Sequence, residues 1–164
     1  MTSERFSAIA FDYGGTLATG PIDHLLGQRP VDLEVTGALR TLYQTGVRLL
    51  LASNSLPSET RWPALQKAEV DGYFSAAVLS YPLGLAKPDP AFYDVVIAAA
   101  QCPAERVLFV GDHLVNDVQA PIDRGMSAVL VRPKGRRRDE RLPEGAWMVK
   151  DVAALPALLQ RLAP

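Results

Sequence analysis

Three short apolar runs in this chain each stop abruptly on a polar residue. Phe6 to Phe11 ends at Asp12, Val47 to Ala52 at Ser53, and Val107 to Val110 at Gly111-Asp112. None alternates with polar residues, which is the pattern of parallel strands covered on both faces. Segments of helical spacing separate them. From Val31 to Tyr43 the apolar residues fall at 31, 35, 38, 39, 42 and 43, with Gly46 placed to stop the helix. A second helix is expected around Pro63 to Val70. A third should open at Asp89-Pro90, an N-cap followed by a first-turn proline, and run to about Ala100. A fourth is expected from about Asn116 to Arg124, closed by Gly125, and a last amphipathic one from Val152 to Leu162. Ala76 to Leu79, Ser127 to Val131 and a short Trp147 to Val149 complete the strands. Strands and helices that alternate in this way predict right-handed βαβ units and an α/β fold with a doubly wound parallel sheet. Ligands bind such sheets outside the carboxyl ends of the strands. Asp12, Ser53 and Asp112 therefore converge on one edge.

At 164 residues the chain is read as one domain, 1–164, long enough to bury a substantial core. A net charge of −1 gives no general attraction to polyanions. The single cysteine, Cys102, excludes an intramolecular disulfide and reads as a packed thiol. The stretch from Met1 to Phe6 is short and polar. No run approaches the ~18 apolar residues of a membrane span, and no signal-peptide pattern is present. A soluble, cytoplasmic protein without membrane contact is expected.

Four motifs follow in order along these elements: Asp12-Tyr13-Gly14-Gly15-Thr16-Leu17; Ser53 after Leu49-Leu50-Leu51-Ala52; Lys87 in Gly84-Leu85-Ala86-Lys87-Pro88-Asp89-Pro90; and Gly111-Asp112-His113-Leu114-Val115-Asn116-Asp117. Together they resemble the haloacid dehalogenase-like (HAD) superfamily of hydrolases over Phe11 to Val131. The resemblance implies a Rossmann-like core and Mg²⁺-dependent phosphohydrolase chemistry through an aspartyl-phosphate. Asp12 would be the nucleophile, and Ser53 and Lys87 would complete the catalytic set. The metal would be held by Asp12, Asp112 and the backbone carbonyl of Gly14, with Asp117 acting through metal-bound water. Ser53, Asn54 and Lys87 would bind the phosphoryl oxygens. The chemistry is consistent with these roles. A phosphoryl transition state spreads charge over oxygens that cations and hydrogen-bond donors must stabilise. Mg²⁺ commonly bridges carboxylates to substrate phosphates.

Gly14 departs from the family pattern, which has an aspartate there to protonate the leaving alkoxide and then activate water. Loss of a positioned acid–base costs about 10²–10⁴-fold in rate, most for alkyl phosphates and least for acyl or aryl phosphates. Dehalogenase relatives also lack that aspartate but do not use the metal, whereas Asp112 and Asp117 are kept here. Phosphonate-cleaving relatives rely on a cap-domain lysine. Only 18 residues separate Asp12 from Val31 and 33 separate Ser53 from Lys87, which leaves no room for a cap domain. An open site suits a small or macromolecular phosphorylated substrate, or a homo-oligomer in which a neighbour covers it. His24 and His113 are candidates to replace the missing acid, since histidine titrates in the useful range. The alternative is a catalytically impaired module that binds phosphate or a partner on the same fold.

The basic segment Arg132-Pro133-Lys134-Gly135-Arg136-Arg137-Arg138 reads as a solvated loop. Asp139, Glu140 and Glu144 dilute its charge, and no interleaved aromatic residues offer base stacking, which argues against nucleic acid. Trp62 and Trp147 read as packing residues.

Overall fold

A computed structural model describes residues 5–164 of the chain; the leading part of the Met1 to Phe6 stretch lies outside the described residues. Six strands form one sheet in the order β3-β2-β1-β4-β5-β6. They are β1 (Ala8–Phe11), β2 (Arg48–Ser53), β3 (Phe74–Leu79), β4 (Val107–Gly111), β5 (Ser127–Val131) and β6 (Ala146–Val149). Every neighbouring pair is parallel. The helices are α1 (Leu33–Gln44), α2 (Trp62–Lys67), a one-turn α3 (Ser80–Leu83), α4 (Pro90–Ala100), α5 (Ala120–Asp123) and α6 (Leu155–Leu162). This is the doubly wound parallel α/β sheet that the apolar runs predict. No cap domain is inserted between Asp12 and α1 or between Ser53 and Lys87. Among the described residues no helix is long and apolar enough to cross a membrane.

The unbroken apolar runs follow from the layering. Successive strand side chains point to opposite faces, and helices cover both. Ile9, Phe11, Leu49, Leu51, Leu108 and Val110 pack with Val35, Leu39 and Leu42 of α1 and Leu155 and Leu158 of α6. Ala8, Ala10, Leu50, Ala52 and Phe109 pack with Phe92, Tyr93 and Val96 of α4 on the other face. Asp89 opens α4 as its sequence predicts, accepting a bond from Ala91 N at 2.9 Å ahead of Pro90.

Three elements differ from expectation. The helix expected from Asn116 begins earlier, as a π-helical turn over Leu114–Gln119 that passes into α5. Pro121, in the first turn of α5, has no N–H to extend a regular α-helical ladder back into that turn. The helix expected through Val70 ends at Lys67, because Glu69 adopts a left-handed backbone (φ 57°). β3 gains Phe74 and Ser75, and Phe74 packs edge-on to Phe11 at 6.4 Å.

Phe109 is fully buried on a central strand, in edge contact with Tyr93. Phe109→Ala should lower unfolding free energy in urea by about 3–5 kcal/mol; a loss below about 1 kcal/mol would contradict this packing.

Candidate active site

The strand order reverses between β1 and β4, so the carboxyl ends of β2, β1 and β4 meet at the topological switch point. Asp12 follows β1, and its N–H bonds Val110 O of β4 at 2.9 Å. Ser53 ends β2 on one side and Asp112 follows β4 on the other. The chain then turns sharply after Asp12, with Tyr13 O accepting bonds from the N–H groups of Thr16, Leu17 and Ala18. Gly15 sits in this turn at φ 75°, and a Cβ there would collide with the Asp112 carboxylate. This second glycine thus lets the two loops close on each other. Gly14 has no such duty. Its φ is ordinary, and a Cβ built on it meets nothing within 4 Å.

Lys87 links the strand ends. Its Nζ donates to Asp12 Oδ1 at 3.0 Å, to Asp117 Oδ1 at 2.8 Å and to Ala52 O at 3.1 Å. Burial drives the ammonium's pKa down, but Asp12 and Asp117 more than offset it, so the net direction is upward and Lys87 stays charged. Asn54 fixes the lysine's backbone: its Oδ1 accepts Lys87 N at 2.8 Å and its Nδ2 donates to Lys87 O at 3.0 Å. The Asn54 side chain is therefore engaged in positioning Lys87. Asp117 is fully enclosed, with Oδ1 on Lys87 and Oδ2 accepting His113 N at 3.0 Å. A Cβ on Gly111 would clash with it, so this glycine makes room for the carboxylate.

Carboxylate oxygens of Asp12, Asp112 and Asp117 lie within 4.8 Å of one another. Three carboxylates face one ammonium, leaving an excess of negative charge in a largely buried space. Burial, followed by the charge of Asp12, pushes Asp112 up to about 6. An all-oxygen, electron-rich donor set of this kind fits a hard divalent cation.

Ser53 is buried. Its hydroxyl donates to Asn54 O at 3.0 Å and lies 3.4 Å from Arg61 Nη2, a candidate donor to it. Arg61 is a site residue that sequence reasoning missed. It is nearly enclosed, pairs with Glu59 at 3.1 Å, bonds Asn54 O at 3.3 Å and lies 4.5 Å from the centre of the Tyr13 ring. Its Nε is buried without a partner among the described residues. An arginine ahead of Trp62-Pro63 carries no motif signal, and only the fold brings it to Ser53. His113 is exposed, and its Nδ1 accepts Asn116 N at 3.2 Å, capping the π-helical turn. His24 is exposed in the loop before α1.

A family model described as haloacid dehalogenase-like hydrolase matches residues 21–123. The chain belongs to that family. N-acylneuraminate-9-phosphatase of Mus musculus is 32% identical over 127 residues, covering 76% of this chain and 50% of the relative. Glyceraldehyde 3-phosphate phosphatase of Pyrococcus abyssi is 29% identical over 99 residues, 58% of this chain and 41% of the relative. The chain thus spans about half the length of the curated relatives it matches. Among solved structures, the putative HAD-hydrolase YfnB of Bacillus subtilis bound to magnesium superposes with a TM-score of 0.78 at 14% identity, covering 94% of this chain and 99% of that one. The 2-haloacid dehalogenase of Pseudomonas syringae gives 0.77 at 19% identity, with coverage of 96% and 100%. Phosphatase and dehalogenase names attach to one fold, so the chemistry must be argued from the site.

The two glycines predict opposite outcomes. Gly14→Ala should change unfolding free energy by less than about 0.5 kcal/mol, whereas Gly111→Ala should cost about 1–3 kcal/mol by displacing buried Asp117. Equal effects in chemical denaturation would contradict the placement of Asp117.

Proposed function

We propose that the protein is a phosphohydrolase that uses Asp12 as its nucleophile and favours substrates with good leaving groups. The observation that carries this reading is the buried Lys87 ammonium held between Asp12 and Asp117 where the strand order reverses. A structural lysine has no need of two carboxylates at a ligand-binding edge, whereas a site for a phosphoryl dianion needs a fixed cation beside its nucleophile. The phosphatase names of the relatives support the same reaction class.

In the proposed reaction an Asp12 carboxylate oxygen attacks phosphorus. The bond to the leaving oxygen breaks, and that oxygen departs with the electron pair. Lys87 orients Asp12 and offsets charge on the phosphoryl oxygens. Ser53 donates its hydroxyl to one of those oxygens, which requires it to turn away from Asn54 O. Arg61 holds Ser53 and adds positive charge behind it. Asp12, Asp112 and the Gly14 carbonyl would hold Mg²⁺, with Asp117 behind them. When bound, the cation would supply charge neutralisation between the carboxylate and the incoming phosphate.

Gly14 sets the substrate preference. It has no proton for an alkoxide, so an alkyl phosphate must expel a poor leaving group unaided. Neither histidine takes its place in this reading: both are exposed, and among the described residues neither side chain bonds Asp12, Asp112 or Asp117.

Wild type should turn over 4-nitrophenyl phosphate in the presence of Mg²⁺ and lose this activity with a chelator or with Asp12→Asn. Glycerol phosphate should react about 10²–10⁴-fold more slowly, and Gly14→Asp, which has open space for its side chain, should recover part of that loss. Equal turnover by wild type and Asp12→Asn would sink the nucleophile assignment. If neither is active while metal still binds, the alternative of a phosphate- or partner-binding module takes its place.

A further inference from the structure

A cavity of about 850 Å³ adjoins the proposed metal site, and Gly14, Gly15 and Asp112 form part of its wall. That volume lies within the range of small-molecule sites and far exceeds the needs of one phosphate group. The rest of its lining is strongly basic: Arg29, Lys134, Arg136 and Arg137, with Arg132 beside them. Asp112 is its single carboxylate. Glu140 offsets one charge of the basic segment, that of Arg132, and is held within the loop itself. Its carboxylate takes the Arg132 guanidinium (Nε to Oε1 at 3.1 Å and to Oε2 at 3.0 Å) and accepts Arg137 N at 3.0 Å. Arg132 in turn donates through Nη1 to the backbone carbonyl of Asp112. Both residues of this pair are buried. The pair closes the loop on itself and ties it to the end of β4. Arg29, Lys134, Arg136 and Arg137 make no ion pair among the described residues.

We propose that this cavity is a second anion subsite, so that the substrate carries a further carboxylate or phosphate beyond the group transferred to Asp12. The inference rests on the phosphohydrolase reading, since it takes the transferred phosphate to sit beside Asp112. Four exposed cations without a carboxylate partner border the cavity, and a buried ion pair anchors the loop that carries three of them, so an anion entering there meets donors on more than one side. The occupant is a small molecule: the volume suits one, and no aromatic residue lines the cavity to stack a nucleic-acid base. The space left by the missing side chain at Gly14 belongs to the same cavity, so the departure from the family pattern also widens the route to it.

The test compares 4-phosphonobutyrate with butylphosphonate, which differ by a carboxylate and are not hydrolysed, by calorimetry in Mg²⁺. Wild type should bind the carboxylate-tailed compound about tenfold more tightly or better. Arg136→Ala/Arg137→Ala should bring the ratio close to one. Arg138→Ala, which removes a loop charge outside the cavity lining, should leave the ratio intact and so separates a local site from net charge. Equal binding of the two compounds by wild type, failure of both to bind, or a ratio that survives the double substitution would overturn the subsite. Turnover of 4-nitrophenyl phosphate, followed alongside, separates the two claims. Activity with a ratio near one removes the subsite and keeps the nucleophile. A high ratio without activity keeps the subsite and removes the nucleophile.

Discussion

The site depends on one buried ammonium shared between two carboxylates. Removing Lys87 and Asp117 from water is expensive, and their attraction offsets that cost only with good geometry and further hydrogen bonds. Both conditions are met: Lys87 has three oxygen partners, and each oxygen of Asp117 has a donor. The supporting parts of the site serve this arrangement. Asn54 clasps the lysine's backbone, Gly111 clears room for Asp117, and the π-helical turn brings Asp117 N onto His113 O at 2.8 Å. Asp12 inherits its orientation from the same lysine.

Such a constellation holds more negative than positive charge, and Asp112 is pushed up to about 6, first by burial and then by the charge of Asp12. The excess is the physical reason to expect a divalent cation, independent of any family resemblance. Positive charge is arranged around it in two tiers. Lys87 and Arg61 lie within the protein, while the basic loop after β5 borders the cavity on the solvent side. An anion approaching from solvent meets this outer tier before the buried one.

Much of this was legible in the chain alone. Apolar runs that stop on Asp12, Ser53 and Asp112 disclosed a parallel sheet and its active edge, because burial on both faces leaves a pattern that local reading can detect. Lys87 was legible through its motif, although nothing local shows that it reaches Asp12 from a loop 75 residues away. Arg61, the Arg132–Glu140 pair and the task of Asn54 were not legible. Each depends on a contact made only after the strands are side by side, and each residue is of a type ordinarily exposed. The basic segment illustrates the limit. Its charges are exposed as its composition predicts, but the partner that Glu140 chooses decides where those charges point.

The proposed role of Asp12, combined with the missing acid–base at Gly14, has a direct kinetic signature. With a good leaving group the first step proceeds unaided, while hydrolysis of the aspartyl-phosphate lacks a base and should be slower. Rapid mixing of the Mg²⁺-loaded protein with 4-nitrophenyl phosphate should give a burst of nitrophenol approaching about one equivalent per site, then slow turnover. Peptide mapping of the acid-quenched protein should find the phosphoryl group on Asp12. Linear release with no burst, and no phosphoryl group on Asp12 during turnover, would contradict the account.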